Sequence, residues 1–180
     1  MGNIITRKND IRKDRMASAF NSLSYGEHMR HGGGNVTVHT GENYMVVVTT
    51  DSNLHDRVLT AVNGNTLRIT QRSGSFNAKE LTIDVYLPEL TRISLNGAGN
   101  FTVNSGNASE LTVSLFGTGN INAENFQVQN INIAHSGVGN AKIWAINSLN
   151  GTLSGVGNIR YRGSPTVNVN RTGVGDIKPL

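Results

Sequence analysis

The chain has 180 residues, the scale of one domain, and its 37% hydrophobic and 6% aromatic content is lean for a thick globular core. It has no cysteine, which excludes disulfides, thiolate metal sites and a cysteine nucleophile. The net charge is +4, and Arg7, Lys8, Arg12, Lys13 and Arg15 crowd together near the N-terminus. Asp10 and Asp14 are mixed among them and no aromatic residue interleaves. This pattern reads as a solvated lead-in rather than an arm for nucleic acid or anionic lipid.

Taken in order, residues 1–19 form that polar lead-in, either disordered or laid over the first coil. Residues 20–180 read as a single domain. Phe20, Leu23 and Tyr25 start a strand rhythm. His31 to Asn35 (HGGGN) looks like a degenerate copy of a motif that recurs later, and Tyr44 to Val48 is an apolar strand. Asn63-Gly64 is a tight-turn signal between Leu59–Val62 and Leu67–Ile69. Arg72 to Ala78 (RSGSFNA) is a polar excursion. From Leu81 onward regular coils run to the end. No run of 18 apolar residues occurs, so no membrane-spanning helix is expected.

The second half carries five copies of one motif: LNGAGNF (Leu95 to Phe101), LFGTGNI (Leu115 to Ile121), HSGVGNA (His135 to Ala141), LSGVGNI (Leu153 to Ile159) and RTGVGDI (Arg171 to Ile177). The first glycines, Gly97, Gly117, Gly137, Gly155 and Gly173, step by 20, 20, 18 and 18 residues. A period near 20 is the mark of stacked repeats that bury their apolar faces against neighbours. Around each motif apolar and polar residues alternate, as in a strand with one buried face. Ile93, Val113, Ile133, Gly151 and Val169 form one column, apolar but for the glycine, and Phe101, Ile121, Ala141, Ile159 and Ile177 form another. The expected fold is all-β: a single-stranded right-handed parallel β-helix, a solenoid of 18–20-residue coils.

The turn has a chemical logic. The second glycines, Gly99, Gly119, Gly139, Gly157 and Gly175, suit a backbone at positive φ. Asn100, Asn120, Asn140 and Asn158 then stack at one corner, where their amides are expected to form a hydrogen-bonded ladder. Asp176 ends the column, read as tolerable because no coil follows to receive an amide donor from it.

These motifs, with the ending YRGSPTVNVNRTGVGDI and the strands of VTVHTGENYMVVVTTDSNL and LTIDVYLPELTRISL, resemble the head GIN domain family of auto-transporter adhesins. The resemblance spans roughly Phe20 to Leu180. It implies a right-handed parallel β-helix in an exported protein, placed in the periplasm, at the outer-membrane surface or outside the cell. No signal-peptide core or cleavage site stands at the N-terminus, so that implication puts the leader outside this sequence. The family carries over no ligand and no catalytic residue. His135 and Arg171 depart from the column of Leu95, Leu115 and Leu153.

Candidate chemistry stands against this structural background. The glycine motif lacks the third glycine of the dinucleotide fingerprint and any Gly-Lys-Ser/Thr, so nucleotide binding is not expected. Asn in place of Asp denies a calcium roll its anionic ligands. His28, His31 and His39 read as solvated histidines rather than a metal site, with no acid or cysteine at a matching interval. Paired carboxylates for sugar hydrolysis are not evident; Asp51 with Asp56, and Glu80, Asp84 and Glu89, have no basic or nucleophilic partner at coil spacing. His135 reads as a buried or edge histidine bonded to backbone. Phe116 should point outward and, with Trp144, offers a surface contact.

The expectation is therefore a non-enzymatic envelope module that binds a glycan or a protein, without cofactor, metal or nucleic acid. The alternatives are a structural domain packing side by side into a small homo-oligomer, and a carbohydrate-active enzyme. The ending Lys178-Pro179-Leu180 is expected to protect the last coil against endless stacking.

Overall fold

A computed structural model describes residues 9–15, 22–25, 33–72 and 80–180. Its strands are β1 (Asn9–Arg15), β2 (Ser22–Tyr25), β3 (Gly34–Thr40), β4 (Met45–Asp51), β5 (Val58–Asn63), β6 (Thr66–Gln71), β7 (Leu81–Leu87) and β8 (Arg92–Leu95). They continue as β9 (Gly99–Val103), β10 (Gly106–Leu115), β11 (Ile121–His135), β12 (Ala141–Leu153), β13 (Ile159–Arg162), β14 (Thr166–Arg171) and β15 (Ile177–Pro179). One 3-10 turn, His55–Arg57, interrupts them.

All fifteen strands belong to one continuous mixed sheet, which curls into a nearly closed barrel. One wall runs β1-β4-β7-β3-β9 and the other β5-β6-β2-β8-β10; both meet at the long strand β11, and β12 to β15 extend from there. The expected right-handed parallel β-helix over 20–180 is thus corrected. β4 pairs antiparallel with both β1 and β7, and β5 pairs antiparallel with β6. The physical cause lies in the connections. The two residues Gly64-Asn65 suffice to return a strand antiparallel, and Gly64 takes φ +58 there. A parallel neighbour needs a longer crossover, which the chain supplies between the motif copies and also between β2 and β6 and between β3 and β7. A strand, β1, also lies within the polar lead-in.

Parallel stacking does hold from β8 onward, and it reaches back further than the repeat suggests. β3 lies beside β9 with Gly34 opposite Gly99 and Asn35 opposite Asn100, so the Gly34-Asn35 end of HGGGN stands in the motif column. β2 likewise lies beside β8. The segment between them, 41–90, supplies the antiparallel strands.

The core is the narrow column that the alternation requires. β11 shows the pattern well: Ile121, Ala123, Phe126, Val128, Ile131 and Ile133 are buried while the residues between them are less so. Tyr25, Phe101 and Phe126 are the largest fully buried side chains. At ~25 cal/mol per Å², each fully buried Leu, Ile or Phe contributes about 1.5–3 kcal/mol.

Candidate functional site

The motif turns stack directly on one another. Ala98, Thr118, Val138, Val156 and Val174 form successive parallel bridges. The N–H of Val138 donates to the Gly117 carbonyl behind it, and the N–H of Gly139 donates to the Val156 carbonyl ahead, both at 2.9 Å. This leaves no room for a side chain. Gly139 sits at φ +142, and a Cβ there would overlap the carbonyl oxygen of Gly119. Gly137 has no positive φ, yet its Cβ would overlap the Gly117 carbonyl. Positive φ accounts only for the second glycine; close approach accounts for both.

The asparagines form a chain of amides on the outer surface of these turns. Nδ2 of Asn100 donates to Oδ1 of Asn35 at 3.0 Å. Asn120, Asn140 and Asn158 each donate Nδ2–H back to the previous Oδ1, at 3.0, 3.2 and 3.1 Å. Each of those oxygens also receives the backbone N–H of the same residue that donates to it, which fixes the amide orientation. The direction of the ladder corrects the account of Asp176. Donors point toward the preceding coil, so an amide at position 176 would have had a partner in Asn158. Asp176 instead offers only its backbone N–H to Asn158 Oδ1, at 2.9 Å. Its carboxylate meets Lys178 Nζ at 2.7 Å and Arg171 Nη1 at 3.7 Å. The hydrogen bond from Lys178, then its charge, holds the Asp176 carboxyl below its ordinary value.

A second column runs two residues further along each strand, on the same outward face. Asn122, Lys142, Arg160 and Lys178 stand in register across β11, β12, β13 and β15. Sequence reading missed it, although Lys142, Arg160 and Lys178 each lie five residues after the first glycine of a motif. Lys142 Nζ is 3.6 Å from Glu124 Oε2, and Lys178 has Asp176. Arg160 has no hydrogen bond or ion pair among the described residues, although its charge reaches Asp176. Between the two columns lies a groove of about 350 Å³, lined by Asn120, Asn122, Asn140, Lys142, Asn158 and Arg160 over the edge of Ile121.

Trp144 continues this face beyond Lys142. It is half-buried, with the Arg162 guanidinium 5.5 Å from its ring centroid. Arg162 also donates to the Glu124 carbonyl at 3.1 Å. Phe116, just before the first glycine of its motif, is 52% exposed, and Val138, Val156 and Val174, which bridge one another in the turns, form an exposed ridge.

The histidines divide. His28 and His31 lie outside the described residues. His39 is not simply solvated: Nε2 pairs with Asp84 Oδ1 at 2.9 Å, Nδ1 with Asn104 Nδ2 at 3.1 Å, and the ring stacks on Tyr86 at 4.6 Å. Asp84 thus has a basic partner, brought to it by the β3–β7 register, which sequence spacing could not show. No hydroxyl is bonded to His39 among the described residues, so the dyad holds no nucleophile. No group of three metal-ligating side chains occurs among the described residues. His135 is fully buried and donates Nε2–H to the Gly139 carbonyl at 2.7 Å. Arg171 makes the same contact four residues ahead, to Gly175, at 2.5 Å. Both departures from the leucine column are thus turn caps.

An all-β barrel whose repeat turns carry a polar outer face defines the class. The chain belongs to the family described as "putative auto-transporter adhesin, head GIN domain", which matches residues 29–105 and 99–165. It is similar to the crystal structure of a "putative adhesin" from Bacteroides fragilis, at 23% identity and TM-score 0.61, over 97% of this chain and 98% of that one. It is also similar to a "putative cell adhesion protein" from Clostridium sporogenes, at 18% identity and TM-score 0.50, over 96% and 99%. A "putative lipid binding protein" from Parabacteroides distasonis aligns at 18% identity and TM-score 0.49, over 97% and 98%. At these identities the first two likenesses are of fold alone. No curated protein matches the chain.

Proposed function

We propose that the protein is a non-enzymatic binding module of the cell envelope, exported from the cytoplasm, that holds a glycan on the outer face of its motif turns. The observation that carries this reading is the groove between the asparagine ladder and the Lys142–Arg160–Lys178 column. A rigid sheet presents amides at regular spacing, and Trp144 stands at its margin. Such a surface suits a chain of hydroxylated rings, because amides and an aromatic edge recognise sugars without moving. Membership in a family described as adhesins supports the same reading.

A glycan array probed with the purified protein tests it. Binding should be retained by Phe116→Ser and reduced by Trp144→Ala. An array with no bound glycan would overturn the reading. Incubation with polysaccharides should release no reducing ends, and turnover lost on Asp84→Asn would overturn the non-enzymatic part.

The ridge of Phe116, Val138, Val156 and Val174 supports a second reading, a structural domain that packs laterally against copies of itself. Light scattering over a concentration series separates the two: a monomer at all concentrations would remove the second.

A further inference from the structure

Resting on the reading that the groove takes a glycan, we infer that it selects an anionic one, carrying carboxylate, sulfate or phosphate groups along its length. The reason is hydrogen-bond capacity. A primary amide has two N–H hydrogens and an oxygen with two lone pairs. In Asn100, Asn120 and Asn140 both lone pairs are occupied, by the N–H and the Nδ2–H of the residue in the next coil. Each Nδ2 spends one hydrogen on the ladder and keeps one. Along the groove the amides of Asn120 and Asn140 are therefore open donors with filled oxygens, and only Asn158 Oδ1, which receives the Asp176 N–H alone, and Asn122 Oδ1, which receives the Glu124 N–H, keep a lone pair.

The opposite wall has the same polarity. Lysine and arginine donate and never accept. Three cations stand in register on neighbouring strands, ~4.8 Å apart. Like charges directly opposite one another weaken a sheet, so stability alone gives no reason for the column. Glu124 answers Lys142 and Asp176 answers Lys178, which leaves Arg160 between them unmatched among the described residues. Each hydroxyl of a neutral sugar carries one O–H that must donate, and here it would find few acceptors. A carboxylate, sulfate or phosphate oxygen only accepts. Arg160 is placed to take it in a forked pair of charge-assisted bonds while the amide hydrogens take the remaining oxygens.

The test is titration of the whole chain, read by calorimetry and by the fluorescence of Trp144, its one tryptophan. The probes are polygalacturonate, the same polymer with its carboxyls reduced, dextran sulfate, unsubstituted dextran, inorganic phosphate and a single-stranded oligonucleotide. The two charged polysaccharides separate carboxylate from sulfate as the preferred group. At least one should bind, more weakly as salt rises, while both neutral polymers fail to bind. Arg160→Gln should weaken binding about tenfold or more without lowering the melting temperature. Arg92→Gln removes the same charge from an exposed position on β8 and should change nothing.

Neutral polymers binding as well as charged ones would overturn the anionic selection and leave the glycan reading standing. No polysaccharide binding would overturn both. Equal losses from Arg160→Gln and Arg92→Gln would reduce the effect to diffuse charge and overturn the site. Phosphate alone or the oligonucleotide binding as tightly as the best polysaccharide would overturn the assignment to a glycan.

Discussion

Asn140 donates twice to one oxygen: its Nδ2 lies 3.2 Å and its backbone nitrogen 3.0 Å from Oδ1 of Asn120. Its own Oδ1 is used in the same way by Asn158. Asn140→Ala therefore removes three hydrogen bonds, the fourth being kept only if Asn120 Oδ1 still receives the backbone N–H. The site is exposed, so water replaces part of what is lost, and the expected cost is about 1–2 kcal/mol. Thermal melts check it. An unchanged melting temperature would mean that the ladder orders the turn without stabilising it.

The glycine columns make a sharper prediction, because two different causes coincide at one turn. Gly139→Ala meets both a positive φ and the Gly119 carbonyl, and should cost about 3 kcal/mol or more. Gly137→Ala meets only a carbonyl, that of Gly117, and should still cost several kcal/mol, since the obstacle is backbone in a stacked coil. Gly41, with nothing within 4 Å of an added methyl and an ordinary φ, is the control. Gly41→Ala should lie within about 0.5 kcal/mol of the parent. Denaturant titration of the three variants decides whether close approach or φ governs the first glycine.

The same turns show what is legible in the sequence. The period of 20, 20, 18 and 18 residues, the alternation and the corner asparagines are all readable there, because each is a local pattern repeated. HGGGN is recognisable as a motif, but its pairing with Asn100 across 65 residues is not, since the chain between them folds into antiparallel strands by turn chemistry. The ladder's direction stays hidden because an amide can donate either way until its neighbours fix it. The cation column is readable at five residues past each first glycine, but a search for paired acids passes over it. His39 and Asp84 meet across 45 residues only through strand register.

Tyr25 predicts an alkaline limit. Burial pushes its phenol up to about 12 from the ordinary 10.0. Between those values the unfolded chain has released the proton and the folded chain still holds it. Stability contributed by the neutral phenol is thus present below pH 10 and is lost as pH rises toward 12, by about 2–3 kcal/mol in total. Tyr25→Phe has no proton to lose, so its stability should fall less over that window. Urea denaturation at several alkaline pH values measures the difference. Parallel curves for the two proteins would show that the buried phenol does not limit the fold.

Asp176 joins stability to binding. Its carboxylate occupies Lys178 and leaves the last ladder amide without a side-chain donor above it. Asp176→Asn should reverse both effects. The new Nδ2–H can reach Asn158 Oδ1, as each earlier asparagine reaches its predecessor, while the ion pair with Lys178 is lost. The pair is exposed, so the exchange should move the melting temperature little at neutral pH. Acid dependence should change more clearly. The lowered carboxyl stabilises the fold above its unfolded value, and that contribution disappears as pH falls through the folded value. The Asp176→Asn variant has no such loss. Lys178, released, adds an unmatched cation beside Arg160, so a charged polysaccharide should bind more tightly, by a factor of about three to ten at low salt. Calorimetry with dextran sulfate and polygalacturonate on both proteins measures it. Tighter binding with an unchanged neutral melt is the expected pair of results; unchanged or weaker binding would show that Lys178 lies outside the surface that meets the ligand.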